Sequence, residues 1–205
     1  SYTTQIIGGL THEILERLER RDGVVFKPDN CSTAYTINTE ELKIELDELV
    51  TEAKVKPMLH CWYAAPYVKD GKLEGVFVEN KSGRGVILAK MFIDATGDGD
   101  LCSHLAVEYT VPEKKQPPSP GAKMTGMAGV DKKILRKLIY NHGEEFGLKK
   151  DWGWGSDVPG TPGVTFHAET HVFGVNCADA DDLTYSEIEG RRQVRAIMDI
   201  LRKYR

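Results

Sequence analysis

Four stretches of the chain carry apolar residues at the three- and four-residue spacing of amphipathic helices. They cover residues 4–21, a segment that begins after Asn38, residues 131–142, and a segment from Thr184 to the end of the chain. Three of them begin at a polar residue that predicts an N-cap: Asn38, Asp131 and Thr184. Glu41 and Glu187 each stand three residues after their cap, Asn38 and Thr184, which is the spacing of a capping box. We therefore expect four helices.

Between residues 55 and 96 the pattern changes to that of strands. Turn signals at residues 69–72 and 81–83 divide this region into a predicted three-stranded meander over residues 62–69, 73–79 and 85–90. Residues 91–95 follow it, apolar on both faces, and this predicts a buried parallel strand. Further strands are predicted within residues 123–130 and 164–175, with an irregular, glycine-rich loop over residues 151–163.

Taken together, these elements predict an α/β protein that is α+β in part. Residues 112–121 are rich in proline, lysine and serine, which predicts a loop or a crossover between two domains. We expect one domain over residues 1–111 that contains the meander. A second, antiparallel domain is expected over residues 112–180, followed by a C-terminal helix over residues 181–205.

Composition narrows the classes of function. The 205 residues carry a net charge of −4, and a nucleic-acid-binding protein usually shows a basic excess instead. No apolar run is long enough to span a bilayer, so no membrane partner is expected. The four cysteines are scattered without a C-x-x-C pair, which argues against zinc and thiol-redox motifs. A reduced, cytoplasmic setting is the resulting expectation.

The segment with the most chemical content follows the predicted buried strand, where Thr96, Gly97, Asp98 and Gly99 form a turn of small and acidic residues. Open α/β sheets bind ligands at the carboxyl ends of their strands. Glycine lets the backbone approach a ligand closely, and a carboxylate accepts hydrogen bonds from sugar or ribityl hydroxyls. However, no G-x-G-x-x-G follows a strand, so the usual phosphate cradle of a dinucleotide site is missing from the chain.

This segment has two other interpretations. A calcium loop would use Asp94, Thr96, Asp98, Gly99 and Asp100. It also needs a glutamate at its twelfth position, where Leu105 stands, and this excludes it. A plain turn from strand to helix, with Asp100 as the N-cap of residues 101–105, stays open on spacing alone.

Residues 93–101, with the meander before them, resemble the FAD-dependent oxidoreductase family of the glutathione-reductase-like superfamily. Three further segments agree with that resemblance: residues 8–18, 42–49 and 182–195. The resemblance is specific at residues 95–100 (Ala-Thr-Gly-Asp-Gly-Asp) and 189–192 (Glu-Gly-Arg-Arg), and loose over residues 112–175. It implies a partial FAD-binding sheet with the three-stranded meander, plus part of an antiparallel substrate domain.

The resemblance also implies a cofactor and a chemistry, namely FAD and hydride transfer between the flavin and a small-molecule substrate. It maps Thr96, Gly97, Asp98 and Gly99 to the turn that faces FAD, with Asp98 contacting a hydroxyl of the cofactor. The family's N-terminal G-x-G-x-x-G unit and its last FAD-contacting segment are not in the chain. We therefore expect an internal fragment or a truncated homologue that binds FAD weakly or not at all by itself. No residue is predicted as a catalytic acid or base.

Two alternatives belong to other classes of function. The first is a non-catalytic structural or interaction domain that keeps the scaffold without the cofactor. The second is a metal-dependent enzyme that uses His167, Glu169 and His171, because these side chains would share one face of a strand. A polar, solvent-facing row on an antiparallel sheet explains the same alternation, and it is the interpretation we favour.

Overall fold

The computed structural model describes residues 8–26, 35–127, 130–150, 154–168 and 170–204. Helices in these residues are α1 (Leu10–Glu19), α2 (Thr39–Glu52), α3 (Asp100–His104), α4 (Lys132–His142) and α5 (Ala180–Tyr204), with a 3₁₀ turn over Gly143–Phe146. Strands are β1 (Val24–Phe26), β2 (Tyr35–Ile37), β3 (Trp62–Lys69), β4 (Lys72–Asn80), β5 (Gly83–Leu88), β6 (Ala122–Thr125), β7 (Trp154–Asp157) and β8 (Val164–Ala168). This mixture of helices and small antiparallel sheets confirms the predicted α/β class.

The chain divides into two compact units. The meander unit is continuous and spans residues 54–114. The discontinuous unit combines the residues up to 53 with those from 115 onward.

The meander unit is built on the antiparallel sheet β3-β4-β5, and its strand bounds confirm the predicted ones to within two residues. The turn between β3 and β4 has positive φ at both central residues, 50° at Asp70 and 73° at Gly71. That is the backbone of a type I′ hairpin, which the Asp-Gly pair predicted because glycine and aspartate tolerate it best. Local turn chemistry therefore sets the register of the first hairpin.

The predicted parallel strand after the meander is wrong. Residues 91–95 have no strand partner among the described residues, and the side chains of Met91 and Ile93 are 84% and 92% exposed. An apolar segment can become a buried parallel strand only where neighbouring strands pair with it on both sides. The hydrophobic pattern identified a segment suited to burial, but it could not supply the partners.

In the discontinuous unit, the core lies between α4 and α5. Its buried cluster consists of Leu135, Ile139, Leu148, Ala196, Ile197, Ile200 and Leu201. A second sheet has the order β6-β8-β7 with β8 in the middle, and a two-stranded sheet joins β1 to β2. The early and late parts of the chain are tied together, because buried Asn38 donates from Nδ2 to the carbonyl of Pro159 at 2.9 Å.

The predicted strand over residues 123–130 is confirmed only as the shorter β6, and the irregular loop over residues 151–163 is wrong in part because it contains β7. Gly155 in β7 pairs with His167 in β8. A Cβ at position 155 would meet the carbonyl oxygen of Phe166 at 3.0 Å and Nδ1 of His167 at 3.1 Å. This glycine therefore allows close pairing of two strands, whereas its sequence context indicated a loop.

Two of the predicted N-caps are confirmed. Asn38 accepts a hydrogen bond from the backbone N–H of Glu40 at 3.0 Å, and Asp131 accepts one from Lys133 at 2.7 Å. The reciprocal contact predicted from Glu41 is wrong, since the backbone N–H of Asn38 donates to the carbonyl of Gly23 at 2.7 Å. The carbonyl of Gly23, from another part of the chain, therefore accepts the hydrogen bond that the capping box assigned to the Glu41 side chain.

The start of the last helix is also corrected. Thr184 is not its N-cap, because α5 begins at Ala180 and Thr184 donates its hydroxyl to the carbonyl of Ala180 at 2.8 Å. Asp179 caps the helix, and its Oδ1 accepts from the backbone N–H groups of Asp181 and Asp182 at 3.0 Å each. The first predicted helix is confirmed as α1, with residues 1–7 lying outside the described residues.

Candidate functional site

The turn over residues 94–100 joins the end of the meander to α3. Gly97 and Gly99 have φ values of +95° and +73°, in the region that favours glycine. A Cβ at either position would meet nothing within 4 Å. The two glycines are therefore explained by backbone conformation, and the space beside each is open. Both features suit a turn that a ligand can approach closely.

Asp94 holds this turn together. Its Oδ1 accepts from the Thr96 hydroxyl at 2.7 Å and from the Thr96 backbone N–H at 3.1 Å, while its Oδ2 accepts from the Cys102 backbone N–H at 3.0 Å. Led by the bond from the Thr96 hydroxyl, these bonds lower the pKa of the Asp94 carboxyl to about 2, because they stabilise its charged form. This role of Asp94 was missed in the prediction from sequence. The Asp-x-Thr spacing could have indicated it, since aspartate commonly accepts from the backbone two residues on.

Thr96 links the turn to the helix that follows. Its hydroxyl oxygen accepts from the backbone N–H of Asp100 at 3.0 Å while the same hydroxyl donates to Asp94. The predicted cap by Asp100 is wrong, because Asp100 is the first residue of α3 and Gly99 occupies the N-cap position without a side-chain bond. Thr96 and Asp94 together satisfy two of the first N–H groups of α3, those of Asp100 and Cys102.

Asp98 contrasts with Asp94. It is exposed at the outside of the turn, and no residue in the described part of the chain donates a hydrogen bond to its carboxylate. The four predicted site residues therefore differ in role. The Thr96 hydroxyl is bonded within the turn, and Gly97 and Gly99 provide its positive-φ backbone. The carboxylate of Asp98 is available to accept from a ligand hydroxyl.

One contact found only in the structure packs α3 on the meander. The hydroxyl of Tyr63 in β3 lies 3.0 Å from Nδ1 of His104 in α3, and the two rings stack at a tilt with centroids 5.6 Å apart. Burial raises the pKa of the Tyr63 hydroxyl, and the charges of Asp100 and Asp94 raise it further. Tyr63 therefore stays protonated near neutral pH and supports the turn from the meander side.

The structure describes two of the three residues of the metal-site alternative, His167 and His171. His167 lies in the central strand β8 and is 3% exposed, so the solvent-facing row is wrong at this position. Strand β8 ends at Ala168, and His171 follows in a loop where its backbone N–H donates to Oε1 of Gln193 at 3.0 Å. Glu169 lies outside the described residues. No group of three histidine, cysteine, aspartate or glutamate residues that could hold a metal occurs in the described ranges.

The turn fits a nucleotide cofactor in part. The open space at Gly97 and Gly99 admits close approach, and Asp98 offers an acceptor to a ribose or ribityl hydroxyl. The G-x-G-x-x-G motif that usually holds a pyrophosphate does not follow a strand anywhere in this sequence. The residues present therefore suit contact with the hydroxyl-bearing part of such a cofactor.

Comparison with known proteins gives one result. A family model described as FAD dependent oxidoreductase matches residues 1–205. No curated protein and no solved structure gave a significant match. None of the helices in the described part of the chain combines the length and hydrophobicity needed to cross a membrane. The family match spans the whole sequence, and the chain belongs to the FAD-dependent oxidoreductase family.

Proposed function

We propose that this protein acts in the flavin-dependent oxidation or reduction of a small molecule and that its 94–100 turn contacts FAD. When bound, FAD supplies the hydride chemistry, and the protein supplies binding and orientation. Membership of the family supports the cofactor. One observation carries the assignment to this turn: Gly97 and Gly99 have positive φ and open space beside them, and they flank the exposed carboxylate of Asp98. Hydrogen bonds to Asp94 hold the turn in this conformation.

Each residue of the turn has a separate role in this proposal. Gly97 and Gly99 leave the backbone uncovered, so the cofactor approaches without meeting a side chain. Asp98 accepts a hydrogen bond from a hydroxyl of FAD. Thr96 is a positioning residue, because its hydroxyl is already bonded to Asp94 and Asp100.

We also propose that the protein is cytoplasmic. The described cysteines Cys61, Cys102 and Cys177 are free thiols, which supports a reducing compartment.

The test is an NMR titration of ¹⁵N-labelled protein with FAD up to millimolar concentration, which detects weak as well as tight binding. We expect the backbone amide signals of Gly97, Asp98 and Gly99 to shift, and we expect Asp98→Ala to weaken the interaction. Riboflavin and ADP, titrated separately, report which part of FAD the turn contacts. If other signals shift at millimolar FAD and these three do not, FAD binds elsewhere and the assignment to this turn is wrong. If no signal shifts, this chain does not bind FAD by itself, and the non-catalytic alternative is favoured.

Glycine variants provide the matched control. Gly97→Ala adds a Cβ on the open side of the turn, so FAD binding should be lost. Gly83→Ala makes the same change at another positive-φ glycine of the meander unit, where φ is +106° and nothing lies within 4 Å. Both variants carry similar backbone strain, so binding should survive only in Gly83→Ala. Equal loss in the two variants would point to strain and contradict the assignment.

A further inference from the structure

The discontinuous unit contains a cleft of about 110 Å³ beside the core between α4 and α5. It is lined on one side by core residues that are almost fully buried, Ile139, Leu148 and Val172. Polar side chains at the cleft are those of Lys149, His171, Tyr185, Glu189 and Gln193. We call it the Lys149 cleft. It combines an apolar wall with a cation, which is a common composition for sites that orient small ligands.

Lys149 provides the charge of the cleft. Its side chain is exposed, and Nζ lies 5.4 Å from the ring centroid of Phe173, within the range of a cation–π contact. No carboxylate in the described part of the chain lies within ion-pair distance of it. The neighbouring Lys150, by contrast, has its Nζ 3.6 Å from a carboxylate oxygen of Glu144. The positive charge of Lys149 is therefore not balanced by any acid in the described residues.

Glu189 also lines the cleft, but its charge is already balanced. Arg192 donates to both of its carboxylate oxygens at 2.7 Å, a two-pronged pair that holds the guanidinium and the carboxylate together. This pairing lowers the pKa of Glu189, so the carboxylate stays ionised and bound to the arginine. Among the described residues that line the cleft, Lys149 is therefore the cation without an acidic partner.

The wall near His171 is held in place by a helix side chain. The amide of Gln193 accepts from the backbone N–H of His171 at 3.0 Å and donates to its carbonyl at 3.1 Å. Both backbone groups are thus occupied, and residues 171–173 are fixed against α5. A wall held this way is formed before a ligand arrives, which limits the entropy lost on binding.

We propose that the Lys149 cleft binds a short-chain aliphatic carboxylate, with the carboxylate on Lys149 and the chain against Ile139, Leu148 and Val172. An apolar cavity of about 150 Å³ holds benzene, so the smaller cleft suits an acid of about five non-hydrogen atoms, the size of propionate. The apolar wall favours this class over an inorganic anion, which would gain nothing from it. The site goes beyond the proposed flavin chemistry and needs no cofactor.

Propionate titration monitored by NMR, at constant ionic strength, tests the proposal. We expect saturable shifts at the backbone amides of Lys149, His171 and Val172. Propionamide, which has nearly the same shape without the charge, should give no saturable shift. If propionamide or inorganic phosphate binds as well as propionate, the proposed combination of charge and apolar wall is wrong.

Two neighbouring lysines give a matched pair of variants. Lys149→Met keeps most of the apolar stem and removes the charge, and it should weaken propionate binding about tenfold through loss of a charge-assisted hydrogen bond. Lys150→Met removes the same charge one residue away, outside the residues that line the cleft, and should leave binding unchanged. Equal effects of the two variants would show a general charge effect and overturn the site. A thermal unfolding scan confirms that both variants remain folded.

Discussion

Gly190 in α5 offers a sharp test of the packing of the discontinuous unit, because Pro120 leaves no room for a side chain at this position. A Cβ added at this position would stand 2.0 Å from Cγ of Pro120 and 2.8 Å from its Cβ and Cδ. The proline cannot move away freely, since its carbonyl accepts from the Thr170 hydroxyl at 2.6 Å. The carbonyl of Pro118 likewise accepts from the backbone N–H of Val172 at 3.1 Å.

Two opposing effects decide the result of Gly190→Ala. Alanine is better than glycine in a helix interior by about 1 kcal/mol, so the substitution would stabilise an unobstructed helix. Overpacking a filled site costs about 1–3 kcal/mol, and a 2.0 Å approach belongs at the upper end of that range. We therefore expect Gly190→Ala to lower the free energy of unfolding by about 1–2 kcal/mol, the balance of these two effects.

Removing the proline ring should reverse the sign. In a Pro120→Gly background all three ring carbons are gone, and Gly190→Ala should then raise the free energy of unfolding by up to about 1 kcal/mol. Whatever Pro120→Gly costs by itself cancels in the double-mutant cycle. Urea unfolding of the four proteins, followed by far-UV circular dichroism, measures the coupling. Stabilisation by Gly190→Ala in the wild-type background, or a coupling near zero, would refute the reasoning.

Three further predictions concern the turn, a cap and the core. The Asp94 carboxyl has a pKa of about 2 when folded and about 4 when unfolded, so its contribution to stability is complete above about pH 4 and is lost as the pH falls through 2. In an NMR pH titration the Cys102 amide signal should follow that lower midpoint, and a midpoint near 4 would contradict the hydrogen bonds described. Asn38→Ala should lower the free energy of unfolding in urea by about 1–2 kcal/mol, because the cap of α2 is lost, and an unchanged value would contradict that role. Ile200→Ala should cost about 2–5 kcal/mol in the same assay, since the side chain is fully buried, whereas Met198→Ala on a more exposed face of α5 should cost clearly less.

Local signals predicted the local parts of the fold. The Asp70–Gly71 turn fixed the first hairpin of the meander, and Asn38 and Asp131 cap their helices as predicted. In each case the donor, the acceptor and the required backbone angles lie within a few residues of one another. Such features depend little on the rest of the molecule, so a single sequence is enough to predict them.

The features that sequence reasoning missed depend on distant partners or on competition between nearby ones. Residues 91–95 have the composition of a buried strand, but no strand in the described residues pairs with them. The glycine-rich context of Gly155 predicted a loop, whereas in the structure Gly155 pairs with His167 in a sheet. In the 94–100 turn, Asp94 and Thr96 took the capping role predicted for Asp100, although all three candidates were visible in the sequence. Which polar residue wins such a competition depends on backbone geometry that spacing does not report.

The interrupted course of the discontinuous unit has a consequence for its assembly during synthesis. Asn38 and Pro159 are hydrogen-bonded although 121 residues separate them, and the Glu40–Lys123 ion pair spans 83 residues. The three strands of the meander unit pair only with one another, so they can pair as soon as residues 54–114 have left the ribosome. Asn38 and Glu40 precede the meander unit in the chain, yet their bonds to Pro159 and Lys123 can form only after that unit has been synthesised. These two residues therefore wait for their partners while the whole of residues 54–114 is being made.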